Sequence, residues 1–154
     1  MTPADHPGVL VWPPIVFGTA VAGALLLGWL RPLPFFTHPA AMWAGAALIF
    51  FGVALNVWGA VTMRKAGTNI NPARPAVALV STGPFNFSRN PLYVAGMLLL
   101  LGLSLVLNNF WGVLALALAW LILHYGVILR EERYLSAKFG ESYRQYCATV
   151  RRYF

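Results

Sequence analysis

"LYVAGMLLLLGLSLVLNNFWGVLALALAWLILHYGVILREERY", residues 92–134, decides the fold. Leu92 to Leu107 and Phe110 to Leu129 carry no charged side chain, and only Asn108-Asn109 separates the two runs. In lipid a backbone must satisfy its own polar groups, which a helix does. About 20 apolar residues cross a bilayer as helix. The second run meets that length. The first is short, so it either lies partly in the interface or packs against a neighbour. With so tight a turn, at an interfacial Trp111, the two form an antiparallel helical hairpin.

Two apolar tracts precede it. The first runs from about Pro14 to Leu30, with Pro13 and Pro14 at a helix start, where proline is tolerated. No Lys or Arg comes before it. A secretory signal normally carries a positive n-region, so this segment is expected to stay as a membrane helix. The second runs from about Ala40 to Met63 and places Gly45, Gly52 and Gly59 seven residues apart. Small residues on one face let membrane helices approach closely. The face also offers a surface for a homodimer. Composition agrees: 59% of the chain is hydrophobic and 10% charged, against about 25% charged in a soluble domain. The expected fold is an all-α integral membrane protein of four transmembrane helices and a C-terminal amphipathic helix, one domain over residues 1–154.

Residues 64–91 are too polar to span, and prolines at 72, 75, 84 and 91 exclude a long helix there. "AVALV" within it reads as a strand-like or interfacial stretch. In the tail, Leu135, Phe139, Tyr143, Tyr146 and Val150 recur at helical spacing, which predicts one amphipathic helix lying on the membrane or closing over the hairpin. Arg64, Lys65, Arg74 and Arg89 lie in the second loop, six more basic residues lie in the tail, and Arg31 stands alone on the other side. Positive residues stay inside, which sets both termini and the second loop in the cytoplasm, with the bacterial inner membrane as the setting. The net charge of +7 is read as this asymmetry, and no nucleic-acid partner is expected. The lone Cys147 excludes an internal disulfide, and His6, His38 and His124 lack metal-ligand spacing, so no metal site is expected.

The chemistry gathers on the basic side. Glu131 and Glu132 have no cation three or four residues away, whereas Glu141 has Lys138 and Arg144. Their partner comes from another segment or from a ligand, or they are a solvated interfacial pair. His124, seven residues before Glu131, shares its side on a regular helix. It is either a functional intramembrane histidine or bonded to a backbone carbonyl. Asn90 precedes Pro91, which biases it away from helix and fixes Arg89 and Asn90 on a non-helical approach to the third span. Arg89 can clamp a carboxylate or snorkel to the interface. Tyr93 and Gly96 come next, and Gly96 leaves room for something to approach the backbone.

"LVSTGPFNFSRNPLYVAGMLLLLG", residues 79–102, followed by "REERYLSAKFGESYRQYCATVRRYF", residues 130–154, resembles the isoprenylcysteine carboxyl methyltransferase and phospholipid methyltransferase superfamily. The likeness covers about residues 66–152, and "AGTNINPARP" resembles the small bacterial branch. Where the family has Arg-His-Pro this chain has Arg-Asn-Pro, so Asn90 replaces a histidine. The resemblance implies S-adenosylmethionine as cofactor, S-adenosylhomocysteine as product, and a membrane lipid or lipophilic molecule as acceptor. It implies residues 66–154 as the cofactor-binding core, with residues 1–65 forming the first two spans. Arg89, Asn90 and Glu132 are the expected catalytic residues, and Tyr93, Gly96, His124, Glu131 and Tyr143 join them around the cofactor. Two other readings stand beside it. One is a non-enzymatic helical membrane scaffold, and the other is a sterol-reductase-like enzyme using NADPH.

Overall fold

The computed structural model describes residues 6–153. Helix α1 spans Pro13–Leu30 and opens on two prolines, whose missing N–H groups fall where a helix start needs none. Helix α2, Ala40–Lys65, is 26 residues long, about 39 Å at the α-helical rise. Helix α3 covers Pro91–Val106 and α4 Phe110–Leu123. A π-helical turn, His124–Ile128, joins α4 to α5, Leu129–Thr149. A short 3-10 turn, Gly83–Asn86, lies in the loop before α3. No strand occurs among the described residues, so "AVALV" is irregular rather than strand-like.

The all-helical architecture is the one expected. Three helical stretches are long and apolar enough to cross a membrane, and α3 is the shorter fourth. The fourth apolar stretch runs through α4 and the π turn to Ile128. The charged, amphipathic α5 lies beyond it.

The seven-residue glycine repeat explains how α3 is seated. A Cβ at Gly45 would lie 2.7 Å from the Gly102 carbonyl, and one at Gly52 would lie 3.1 Å from the Ala95 carbonyl. Gly59 meets Leu92 in the same way. The stripe therefore admits α3 of the same chain along its length. That face is occupied and is not the free homodimer surface the sequence suggested.

α1 packs instead on α4, and α3 and α4 form the expected hairpin. At its tip Asn108 adopts φ 48° and binds the α1–α2 loop: its Oδ1 accepts from the amides of Phe35 and Phe36 at 3.0 and 3.2 Å. Asn109 caps α4 and donates to the Ala24 carbonyl at 2.8 Å. Trp29, Trp43, Phe50 and Phe51 point outward, as lipid-facing side chains do.

The tail departs from the expected single helix. Gly140 has φ 52°, ψ −121°, a backbone state open to glycine and strained for other residues. α5 thus breaks there into two helical pieces. Its apolar stripe survives the break. Tyr143, Tyr146 and Val150 are buried against Val80 and Phe85 of the 66–90 loop, with Leu135 and Phe139 beside them. The tail closes over that loop.

Candidate functional site

Between the 66–90 loop and the helix ends lies a cavity of about 460 Å³, a size usual for small-molecule sites. Phe17 of α1 and Asn56, Ala60 and Met63 of α2 form one side. Arg89, Asn90 and Tyr93 of the α3 approach, with Glu131, Glu132, Tyr143 and Tyr146 of α5, form the other.

The loop that covers it carries its own support. Its prolines deny regular hydrogen bonding, so side chains supply the bonds. Thr68 Oγ1 accepts from the Val77 amide at 3.0 Å, Asn69 donates to the Pro75 carbonyl at 2.7 Å, and Asn71 accepts from the Ala73 amide at 2.9 Å. Hydrogen bonds also fasten the loop to α5. The Ala76 amide donates to Tyr134 Oη at 3.1 Å, and Tyr146 Oη donates to the Phe85 carbonyl at 2.6 Å.

Glu132 is the hub of the ionic end. Arg152 grips both of its oxygens, Nε to Oε1 at 2.9 Å and Nη2 to Oε2 at 2.7 Å. Arg89 Nη1 stands 3.5 Å from Oε1 and also meets the Cys147 sulfur. The same carboxylate thus holds two guanidiniums together. Arg89 Nε is buried with no partner among the described residues. Beside this hub Tyr93 donates to Glu131 Oε2 at 2.6 Å. The cations missing from the neighbourhood of Glu132 on its own helix come from two other segments, one of the outcomes the sequence left open.

The end of the chain is tied to the start of α3. The Arg89 amide donates to the Arg151 carbonyl at 3.0 Å. Asn90 Nδ2 and Ser88 Oγ both donate to the Arg152 carbonyl, at 3.1 and 3.3 Å. Asn90 is therefore a buried fastener of the tail as well as part of the cavity wall.

Six of the eight expected site residues line one cavity: Arg89, Asn90, Tyr93, Glu131, Glu132 and Tyr143. Gly96 and His124 do not. The Phe17 ring fills the space left by Gly96. His124 Nδ1 lies 2.6 Å from Tyr153 Oη and its ring stacks on Trp120. The physical reason is the π turn. It adds about one residue to the helical register, which rotates the helix beyond it by roughly 100°. His124 and Glu131 are then no longer on one side. Arg152 and Asn56 were missed. Arg152 lies beyond the last helix, where no periodicity points to Glu132. Asn56 could have been found as a lone amide in an apolar tract.

Burial sets the protonation of the site. It pushes the Glu131 carboxyl, beyond the spans, up to about 7; the Tyr93 hydrogen bond pulls it down and the Glu132 charge adds to the rise. Burial likewise raises the Tyr143 phenol, with Glu132 adding to it, and pushes Tyr146 up to about 12. Both phenols stay neutral donors.

The family described as "Phospholipid methyltransferase" matches residues 40–142. The cobalt-zinc-cadmium resistance protein CzcN of Cupriavidus metallidurans is 29% identical over 131 residues, 85% of this chain and 56% of that protein. The nickel-cobalt-cadmium resistance protein NccN of Alcaligenes xylosoxydans xylosoxydans is 33% identical over 99 residues, 64% of this chain and 46% of that protein. The chain spans about half the length of these two curated relatives. An uncharacterized protein of Haemophilus influenzae is 39% identical over 62 residues, 40% of this chain and 98% of its own length. No solved structure gives a significant match. With two-thirds of its length in that match and its apolar helices, the chain belongs to the phospholipid methyltransferase family.

Proposed function

We propose that the protein is an S-adenosylmethionine-dependent methyltransferase that methylates a carboxylate or amine on a lipophilic acceptor at the cytoplasmic face of the membrane. The observation that carries this reading is one small cavity lined by the Arg89 guanidinium and two carboxylates, Glu131 and Glu132, with Arg152 holding Glu132 from outside the lining. A ligand whose amino-acid end bears a carboxylate and an ammonium needs that pairing.

The residues present fit the cofactor. Arg89 has an unpartnered buried Nε, and Glu131 Oε1 has no partner among the described residues while Oε2 is held by Tyr93. Arg89 takes the carboxylate, and Glu131 accepts from the ammonium. Glu132 already gives both oxygens to Arg152, so its role is to position the two guanidiniums. Tyr143 and Tyr146 cover apolar parts of the ligand and keep water out. Asn90 holds the tail in place against the α3 approach. Gly96 admits Phe17 and His124 anchors Tyr153, both supporting the site from outside.

When bound, S-adenosylmethionine supplies a methyl group to the acceptor: the sulfonium–methyl bond breaks as the new bond to oxygen or nitrogen forms, leaving a neutral thioether. A carboxylate acceptor needs no base. An amine must lose a proton for the transfer to complete. The protein's part is otherwise alignment in a dry site. Lipid-phase access between spans lets the acceptor enter sideways. We take the chain as one unit, because α1 and α2 contribute walls to the same cavity as residues 66–153.

Thermal unfolding in detergent tests the reading. S-adenosylhomocysteine raises the melting temperature and NADPH does not, and Arg89→Ala and Glu132→Gln abolish most of the shift. Stabilisation by NADPH alone would favour the reductase reading. No shift with either ligand, at millimolar concentration in folded protein, would favour a scaffold.

A further inference from the structure

Asn56 is the one amide in the apolar part of α2. It lies nine residues before Lys65, about 14 Å from the helix end by the α-helical rise. Its side chain is exposed and has no hydrogen-bond partner among the described residues. By contrast Thr19 and Thr62 bond to carbonyls of their own helices, and Ser104 bonds to the Asn109 carbonyl. A bare amide at this depth is costly in hydrocarbon and marks a functional position.

Its surroundings say what it serves. Asn56, Ala60 and Met63, at i, i+4 and i+7, form a stripe beside the glycine face, and all three line the cavity. Gly52 meets Ala95 and Gly59 meets Leu92, so Asn56 sits level with the first turns of α3, where Phe17 covers Gly96. α1 packs on α4 and α2 on α3, with no extended interface between α1 and α2. The cavity thus has an ionic end at Arg89 and Glu131 and an apolar end bounded by Phe17 and Ala60, where Asn56 supplies a neutral donor and acceptor.

We infer that Asn56 binds an uncharged hydroxyl or carbonyl on the lipophilic methyl acceptor, next to the atom that is methylated, as the acceptor reaches in between α1 and α2. This rests on the methyltransferase reading. A neutral amide at this end selects a neutral hydrogen-bonding group over a phosphate, which requires a cation.

The test uses the full chain in nanodiscs with three diazirine probes: a long-chain primary alcohol, the matched hydrocarbon, and a phosphatidylethanolamine. The alcohol labels the segments holding Phe17 and Ala60 above the hydrocarbon. Asn56→Leu cuts that labelling about fivefold, the weight of one net hydrogen bond, while S-adenosylhomocysteine binding is kept. Should N56L lose that binding, the smaller N56A carries the comparison. Equal labelling by alcohol and hydrocarbon, unchanged labelling in the variants, or preferential labelling by phosphatidylethanolamine overturns the inference. Absence of S-adenosylhomocysteine binding in the wild type overturns the methyltransferase reading instead, and leaves the alcohol labelling to be judged on its own.

Discussion

Arg152→Ala puts the ionic hub to a direct test, because it removes a cation and leaves the backbone bonds intact. The Arg152 carbonyl, which accepts from Asn90 and Ser88, survives the substitution. The loss is a two-point grip on a carboxylate whose side chain is only 14% exposed, from a guanidinium that is 36% exposed. Hydrogen bonds between charged groups contribute about 1.5–3 kcal/mol when shielded, and surface pairs about 0–1 kcal/mol. Partial exposure, and the Arg89 guanidinium left 3.5 Å away as a substitute, place the expected loss at about 1–2 kcal/mol. For a chain of this size that corresponds to roughly 3–6 °C in melting temperature. Affinity for S-adenosylhomocysteine should fall about tenfold, since Glu132, freed of Arg152, then draws Arg89 away from the ligand's carboxylate. Arg152→Lys should fall between, because an ammonium keeps the charge and loses the fork. Differential scanning fluorimetry and calorimetric titration read both quantities. Wild-type melting together with affinity within about twofold would show the pair to be an idle surface contact, and the shared-carboxylate argument would fail.

Other consequences can be checked separately. Gly45→Ala should lower the melting temperature by several degrees, since its Cβ would sit 2.7 Å from the Gly102 carbonyl and force α2 from α3; an unchanged melting curve would show the seam to be loose. Affinity for S-adenosylhomocysteine should rise with pH through about 7, because the Glu131 carboxyl must ionise to accept from an ammonium that stays protonated over this range. Tyr93→Phe should move that midpoint upward, since the Tyr93 bond is what pulls the Glu131 value down; titrations at several pH values read both, and a flat profile counts against Glu131 as the cation's partner. In a Cys147→Ser background, Ala73→Cys in the basic loop should resist a membrane-impermeant maleimide applied to intact cells and react after lysis. Labelling of intact cells would reverse the proposed orientation.

The range of each interaction decides whether the sequence discloses it. The glycine stripe of α2 was legible because Gly45, Gly52 and Gly59 share a face of one helix, although the sequence does not say that α3 rather than a second chain fills it. The need of Glu131 and Glu132 for partners from elsewhere was legible because their own helix offers no cation. The identity of that cation was only half legible: Arg89 stands out before an apolar run, whereas Arg152 lies after the last helix, held by backbone bonds to residues 88–90. His124 was misplaced because a seven-residue spacing holds only in unbroken α-helix, and the π turn at His124–Ile128 breaks the register. That turn faces the segment before α1, where the Leu10 amide donates to the Gly126 carbonyl at 3.0 Å. A contact from over a hundred residues away cannot be read from local pattern.

The same long range makes ligand binding a global event. Segments near residues 17, 56, 69, 89, 131 and 143 meet at one cavity. The loop over it is fastened to α5 by the bonds of Ala76 to Tyr134 and of Tyr146 to Phe85, and by the apolar cluster around Tyr143. A ligand that bridges Arg89 and Glu131 therefore cross-links the start of α3 to α5 and clamps the loop between them. Binding to the folded state alone stabilises in proportion to the logarithm of ligand concentration over Kd. Cleavage by trypsin at Arg74, exposed on that loop, should then slow as S-adenosylhomocysteine is added, while cleavage at Arg144, also exposed, should change little. If both sites were protected equally, the ligand would be stabilising the bundle at large. If Arg74 were cut at the same rate with ligand bound, the loop would not be part of the site, and the cavity beneath it would lose its claim to the cofactor.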